Sequence, residues 1–237
     1  MDGKLPLGQP GPCVGRSTWR AFLECLPPED DFLSRRVYRW IGFPIFAMAT
    51  RVNAKANHVT CLSLVLGILA GLAFVRGDYV WTLAGVVLLN LALGADSVDG
   101  QVARYRQEAS DFGRWLDSLS DVFKLIVIFG GISVGQYRAE EQSIYLLLGM
   151  AALAHLFLAY YLMLLNKRFT FYRYKNAVDL SGTRWVGLES SLYVFISVFA
   201  LTNQFPLMLW FFLAVGACPW ALLIMRARQS QIKAGSE

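Results

Sequence analysis

Charge is what this sequence has least of. Only 16% of its 237 residues are Asp, Glu, Lys or Arg, where a soluble domain carries about 25%. Hydrophobic residues make up 56% and aromatics 14%, and the mean hydropathy is +0.44. That shortfall argues against an ordinary water-facing surface, so much of the outside of the molecule is expected to face lipid. Cysteine is scarce as well. Cys13, Cys25, Cys61 and Cys218 are scattered, with neither a CxxC pair nor metal-like spacing, and reduced thiols are the expectation. The opening stretch MDGKLPLGQPGPCVGR has no apolar core of the kind a signal peptide needs. Its Pro and Gly read as a loose tail, to which no role is assigned. Internal repeats and low-complexity tracts are absent too.

Long apolar runs are abundant. A membrane span takes about 20 apolar residues, and six segments qualify: 57–76, 79–104, 112–136, 142–166, 184–204 and 205–228. A weaker stretch, 34–52, mixes Arg35, Arg36 and Arg39 with Val37, Trp40, Ile41, Phe43, Ile45 and Phe46. That pattern suits a helix lying in the membrane interface. The predicted architecture is an all-α integral membrane protein: six transmembrane helices with an N-terminal interfacial amphipathic helix. The boundaries are a cytosolic tail over 1–33, the interfacial helix over 34–55, a six-helix domain over 56–228 and a C-terminal tail over 229–237.

The basic residues set the orientation. Of 22 Lys and Arg, only Arg76 and Arg138 fall on one side of this layout, and Lys124 lies within a span. The others precede the first span, follow the sixth, or occupy the second-to-third and fourth-to-fifth loops. Both termini are therefore expected in the cytoplasm. The positive excess is a topology signal, and nothing independent points to nucleic acid. Few cytosolic extensions and no targeting peptide suggest a prokaryotic inner membrane.

Against this background stands DSVDGQVARYRQEASDFGRWLDSLSD, residues 96–121. Asp96, Asp99 and Ala103 share one face at the end of the second span, and Asp117 and Asp121 share one at the start of the third. A short polar loop joins them, so an antiparallel helical hairpin is expected to bring four carboxylates into one cleft at headgroup level. Buried carboxylates are costly and like charges add to the cost. Arg104 and Lys124 could each balance one, which leaves an excess of negative charge. Divalent cations answer it: Mg²⁺ and Mn²⁺ prefer carboxylate oxygens and share their remaining positions with phosphate, and a pair of metals can clamp a displacement at phosphorus. A single intramembrane Asp often fixes helix packing; four at this spacing are poorly explained that way. Gly100, Ala103 and Gly113 keep the surface beside the acids open, although small residues also serve helix packing.

These residues read D-x-x-D-G-x-x-A-R, eight residues, then G-x-x-x-D-x-x-x-D. The pattern resembles the signature of the CDP-alcohol phosphotransferase family, integral membrane enzymes of phospholipid synthesis. Asp96, Asp99, Gly100, Ala103, Arg104, Gly113, Asp117 and Asp121 fill its fixed positions. The resemblance implies two divalent cations, Mg²⁺ or Mn²⁺, held by Asp96, Asp99 and Asp117, with Asp121 touching one. It implies that Asp121 is the general base, taking the proton of an acceptor hydroxyl that attacks the phosphorus furthest from cytidine, with CMP leaving. Gly100, Ala103 and Gly113 would shape the nucleotide site, and Arg104 would support it. At NHVT, Asn57 and Thr60 match the family's usual Pro-Asn and later Thr, while Ala56 replaces the proline. Thr60 is a candidate for the donor site, and Asn57 for either that site or a helix N-cap.

Beyond the motif, Lys124 is expected to balance the carboxylates, with contact to acceptor phosphate as the alternative. Arg173, Lys175 and Arg184 lie in a basic, aromatic loop that serves topology and is a candidate site for an anionic acceptor. Glu189 is expected to pair with Arg184, and His155 to pack or bond between helices. The favoured donor is CDP-diacylglycerol and the acceptor a small polar alcohol. Ser118 stands where the choline and ethanolamine branch has His, and favours that donor over a soluble CDP-alcohol used with diacylglycerol; coupling of two soluble partners stays open. Membrane lipids are partners by default, and the family implies a homodimer. The competing class is a cation channel or a scaffold. A channel would need polar residues through the full membrane depth, and a scaffold has no use for four acids at one edge.

Overall fold

The computed structural model describes residues 18–26, 37–166, 188–215, 221 and 225. Among them are eight helices and no strand: α1 (Thr18–Glu24), α2 (Arg39–Arg51), α3 (Ala56–Phe74), α4 (Tyr79–Tyr105), α5 (Asp111–Glu140), α6 (Ile144–Asn166), α7 (Leu188–Leu201) and α8 (Phe205–Val215). Three of these, α3, α4 and α5, are long and apolar enough to cross a membrane. A helix or helical segment lies within each of the six apolar runs and within 34–55.

Local chemistry sets the breaks. Gly77 takes φ +78° between α3 and α4, a region open to Gly without penalty. Its neighbour Asp78 caps α4, the carboxylate accepting from the Trp81 N–H at 2.9 Å. Ser110 caps α5 in the same way, accepting from the Gly113 N–H at 3.0 Å. Each cap occupies one of the amide donors that a helix start leaves over.

Helix α3 is the central wall. It packs along both α4 and α5, whereas α4 and α5 do not pack along each other. The hairpin expected from the sequence therefore exists as a chain reversal but opens into a wedge, with α3 filling it. Small residues permit this approach: a Cβ on Gly67 would lie 2.6 Å from Lys124 Cγ, and one on Gly71 would lie 2.6 Å from Val127 Cγ1. The main core gathers Ala70, Phe74, Leu89, Ile128, Phe129, Ile132, Leu148, Ile196 and Met208 from α3 to α8. Outward, α3 exposes Leu62, Val65, Leu69 and Leu72, an apolar stripe at helical spacing that suits lipid better than water.

A second cluster ties α1 and α2 to the far end of α4 through Phe22, Phe46, Ala49, Val59, Ala95, Val98 and Val102. Trp19, Phe22, Phe43 and Phe46 pack together there, mostly edge to face, with ring centroids 4.8 to 5.7 Å apart. Thr18–Glu24 lies within the stretch the sequence treats as a tail, so α1 is a helix that the sequence reading missed. Arg39 also departs from expectation. It is buried, not on a wet polar face, and donates to the Ser97 carbonyl.

Candidate active site

The site forms where the last turns of α4 meet the first turns of α5, against the start of α3. Asp96, Asp99 and Asp117 each offer a carboxylate oxygen, all within 4.8 Å of one another. Oxygens on opposite sides of one Mg²⁺ lie about 4.2 Å apart, since each bond is about 2.1 Å. Small side-chain rotations would bring all three onto one ion. At an effective dielectric of about 20, unit charges 4.8 Å apart repel by about 3.5 kcal/mol. A trio of hard oxygen donors under such repulsion is the chemistry that a divalent cation satisfies.

Two hydroxyls from α3 hold two of the three acids. Thr60 Oγ1 donates to Asp99 Oδ2 at 2.6 Å, and Ser63 Oγ donates to Asp96 Oδ1 at 3.2 Å. Thr60 is 4% exposed and Ser63 is fully buried, so neither hydroxyl has water as an alternative partner. The sequence singled out Thr60 but missed Ser63. Its signal was the spacing Thr60, Ser63, Gly67, Gly71, a stripe of small and polar residues along an otherwise apolar helix.

Lys124 is 2% exposed, yet its ammonium reaches the acids. Nζ lies 2.5 Å from Asp96 Oδ1 and 2.9 Å from Asp121 Oδ1, and it donates to Ser63 Oγ at 3.0 Å. Its stem runs past Gly67, where any side chain would collide with it. Asp121 thus sits beside the trio but outside the group of three.

At the positions expected to shape a nucleotide site, Gly100 has only the Arg104 guanidinium within 4 Å of a Cβ position, so the surface there is open. Gly113 faces Ser110 Oγ and Asn57 Oδ1, at 3.2 and 3.4 Å from its Cβ position. Asn57 is not the N-cap: α3 starts at Ala56 with Lys55 as cap. The Lys55 N–H donates to His58 Nδ1 at 3.3 Å, which begins the helix before Asn57 and turns Asn57 toward Gly113. Arg104 Nε donates to the Cys25 carbonyl at 2.9 Å, and Gln101 Nε2 to the Phe22 carbonyl at 3.2 Å. Both use carbonyls that the end of α1 leaves without helical partners. Ala103 lies one turn beyond Asp99, half-buried. Arg173, Lys175 and Arg184, and with Arg184 the ion pair expected with Glu189, lie outside the described residues, as do both expected tails apart from α1 and its immediate flank.

The model of the CDP-alcohol phosphatidyltransferase family matches residues 53–225. That range covers most of the 237 residues and contains every position of the acidic motif. The chain belongs to this family. Among curated proteins it is 30% identical over 103 residues to phosphatidylinositol phosphate synthase of Streptomyces avermitilis, covering 43% of this chain and 41% of that protein. It is 32% identical over 92 residues to the bifunctional IPC transferase and DIPP synthase of Aquifex aeolicus, covering 39% of this chain and 20% of that one. The matches thus span less than half of either relative.

Proposed function

We propose that this protein transfers a phosphatidyl group from CDP-diacylglycerol to a small polar alcohol and releases CMP. The observation that carries the reading is the convergence of Asp96, Asp99 and Asp117 beside Asp121, where α4 ends and α5 begins, both helices being long and apolar enough to cross a membrane. Asp96, Asp99 and Asp117 would hold divalent metal, Mg²⁺ or Mn²⁺, which when bound neutralises the donor's pyrophosphate. Thr60 and Ser63 fix the angles of Asp99 and Asp96. Gly100, Ala103 and Gly113 leave room for the nucleotide, with Arg104 and Asn57 at its margins.

Asp121 acts as the base. It takes the acceptor's hydroxyl proton, and that oxygen bonds to the phosphorus furthest from cytidine. The bond from that phosphorus to the bridging oxygen breaks, and CMP leaves with the electron pair. Lys124, held against Asp121, fixes where that carboxylate sits. The six apolar runs are read as six spans with both termini in the cytoplasm, which puts this chemistry at the cytoplasmic headgroup layer of an inner membrane. A relative that makes a phosphatidylinositol phosphate favours a phosphate-bearing acceptor, for which Arg173, Lys175 and Arg184 supply charge.

The test is CMP release in detergent from CDP-diacylglycerol with Mg²⁺ or Mn²⁺. Serine, glycerol 3-phosphate, inositol 1-phosphate and inositol are compared, with Asp121→Asn as blank. Release with one acceptor, inositol 1-phosphate first, is expected. Release only from CDP-choline or CDP-ethanolamine with diacylglycerol would replace this donor assignment with a soluble CDP-alcohol.

A further inference from the structure

The family pattern implies two cations, and the residues here fit them unequally. Asp96, Asp99 and Asp117 gather for one ion. A second ion beside it would draw on the remaining acid, Asp121, together with a carboxylate of the trio. That position is spanned by Lys124. We propose that the Lys124 ammonium is a built-in substitute for the second cation, so that this chain binds a single divalent ion in its carboxylate centre. The inference rests on the metal reading above.

Three features carry it. First, Nζ sits 2.5 Å from Asp96 Oδ1 and 2.9 Å from Asp121 Oδ1. An ion bound to those oxygens at about 2.1 Å from each would share both of them with the ammonium, and two cations crowded onto one pair of oxygens repel. Second, an ammonium has three N–H donors, and Asp96, Asp121 and Ser63 accept one each. In this arrangement no N–H is left over for an acceptor phosphate, and the group is satisfied where it stands. Third, Lys124 is closely enclosed. It is 2% exposed, its Cγ and Cδ pass 2.6 and 3.0 Å from the Cβ position of Gly67, and α3 closes over it. Gly67 is the groove that lets a long cationic side chain thread between two packed helices. A lysine that merely balanced surface charge would need neither the groove nor Ser63.

Binding of Mn²⁺ alone to the full-length protein in detergent tests this, read by electron paramagnetic resonance. One ion per chain with an uncoupled spectrum is expected, lost in Asp117→Asn. Lys124→Met is expected to bind two ions and to show the exchange-coupled spectrum of a pair about 3.5 to 4 Å apart. Two coupled ions in the wild type would overturn the substitution while leaving the metal reading intact. So would a folded Lys124→Met that still binds one. No ion in the wild type would overturn both. Because the wild-type count decides by itself, the proposal stays testable even if the lysine variant does not fold.

Discussion

Gly67→Ala is the most informative single change, because two physical effects predict opposite signs. In a helix interior, Ala is favoured over Gly by about 1 kcal/mol, so an unobstructed site should gain stability. At Gly67 the added methyl would lie 2.6 Å from Lys124 Cγ and 3.0 Å from Cδ. These atoms belong to the stem of a buried side chain, so the lysine must move by about 1 Å to restore ordinary contact. Overpacking of this kind costs about 1–3 kcal/mol. A shift of that size also breaks at least one charge-assisted bond of Nζ, worth about 1.5–3 kcal/mol. The balance is a loss of about 1.5–5 kcal/mol. Gly130→Ala is the matched control, since nothing lies within 4 Å of a Cβ there. Thermal unfolding in detergent and CMP release together give the assay. Gly67→Ala is expected to lower the midpoint and to reduce turnover at least tenfold, while Gly130→Ala leaves both unchanged or raises the midpoint. If Gly67→Ala behaves like Gly130→Ala, Lys124 does not run where the structure puts it.

Thr60→Val removes the hydroxyl that donates to Asp99 at 2.6 Å. A bond to a charged group is worth about 1.5–3 kcal/mol, so Mn²⁺ affinity should fall about 10- to 100-fold and Thr60→Ser should restore most of it; equal affinities in the two variants would refute the role. Asp121→Asn should abolish turnover while nucleotide binding, followed by equilibrium dialysis of labelled CMP, survives. Retained turnover would remove Asp121 as the base. Gln101→Ala removes a donor to the Phe22 carbonyl at 3.2 Å, worth about 1 kcal/mol, and should speed limited proteolysis at α1. Unchanged cleavage would show that the aromatic cluster and the Arg104 bond to the Cys25 carbonyl hold α1 without Gln101.

Much of this arrangement is legible in the sequence, for reasons that differ by element. The apolar runs locate α3 to α8 because long, nearly unbroken apolar stretches leave a strong signal. The spacing of Asp96, Asp99, Asp117 and Asp121 marks the site because two helical periods on either side of one short loop leave few other arrangements. What stays hidden is pairing across distance. Ser63 looks like one more small residue until α4 and α5 are laid on either side of α3, when it touches both Asp96 and Lys124. The inward turn of Arg39 depends on a carbonyl 58 residues away, which no local period reports. TWRAFLE places Trp19, Phe22 and Leu23 at helical spacing, but seven residues are too few to stand as a helix without the α2 and α4 surfaces they cover. The wedge between α4 and α5, with α3 packed against both, is a matter of which helices meet, and a hydropathy profile does not report that.

The central claim is that the carboxylate centre drives CDP-dependent transfer, and metal-dependent CMP release tests it most directly. Wild-type protein, stripped with a chelator and given CDP-diacylglycerol with the acceptor panel, should release no CMP until Mg²⁺ or Mn²⁺ is restored. Asp117→Asn should release none at any concentration of either ion. Release that survives chelation, or an Asp117→Asn variant as active as the wild type, would contradict the account.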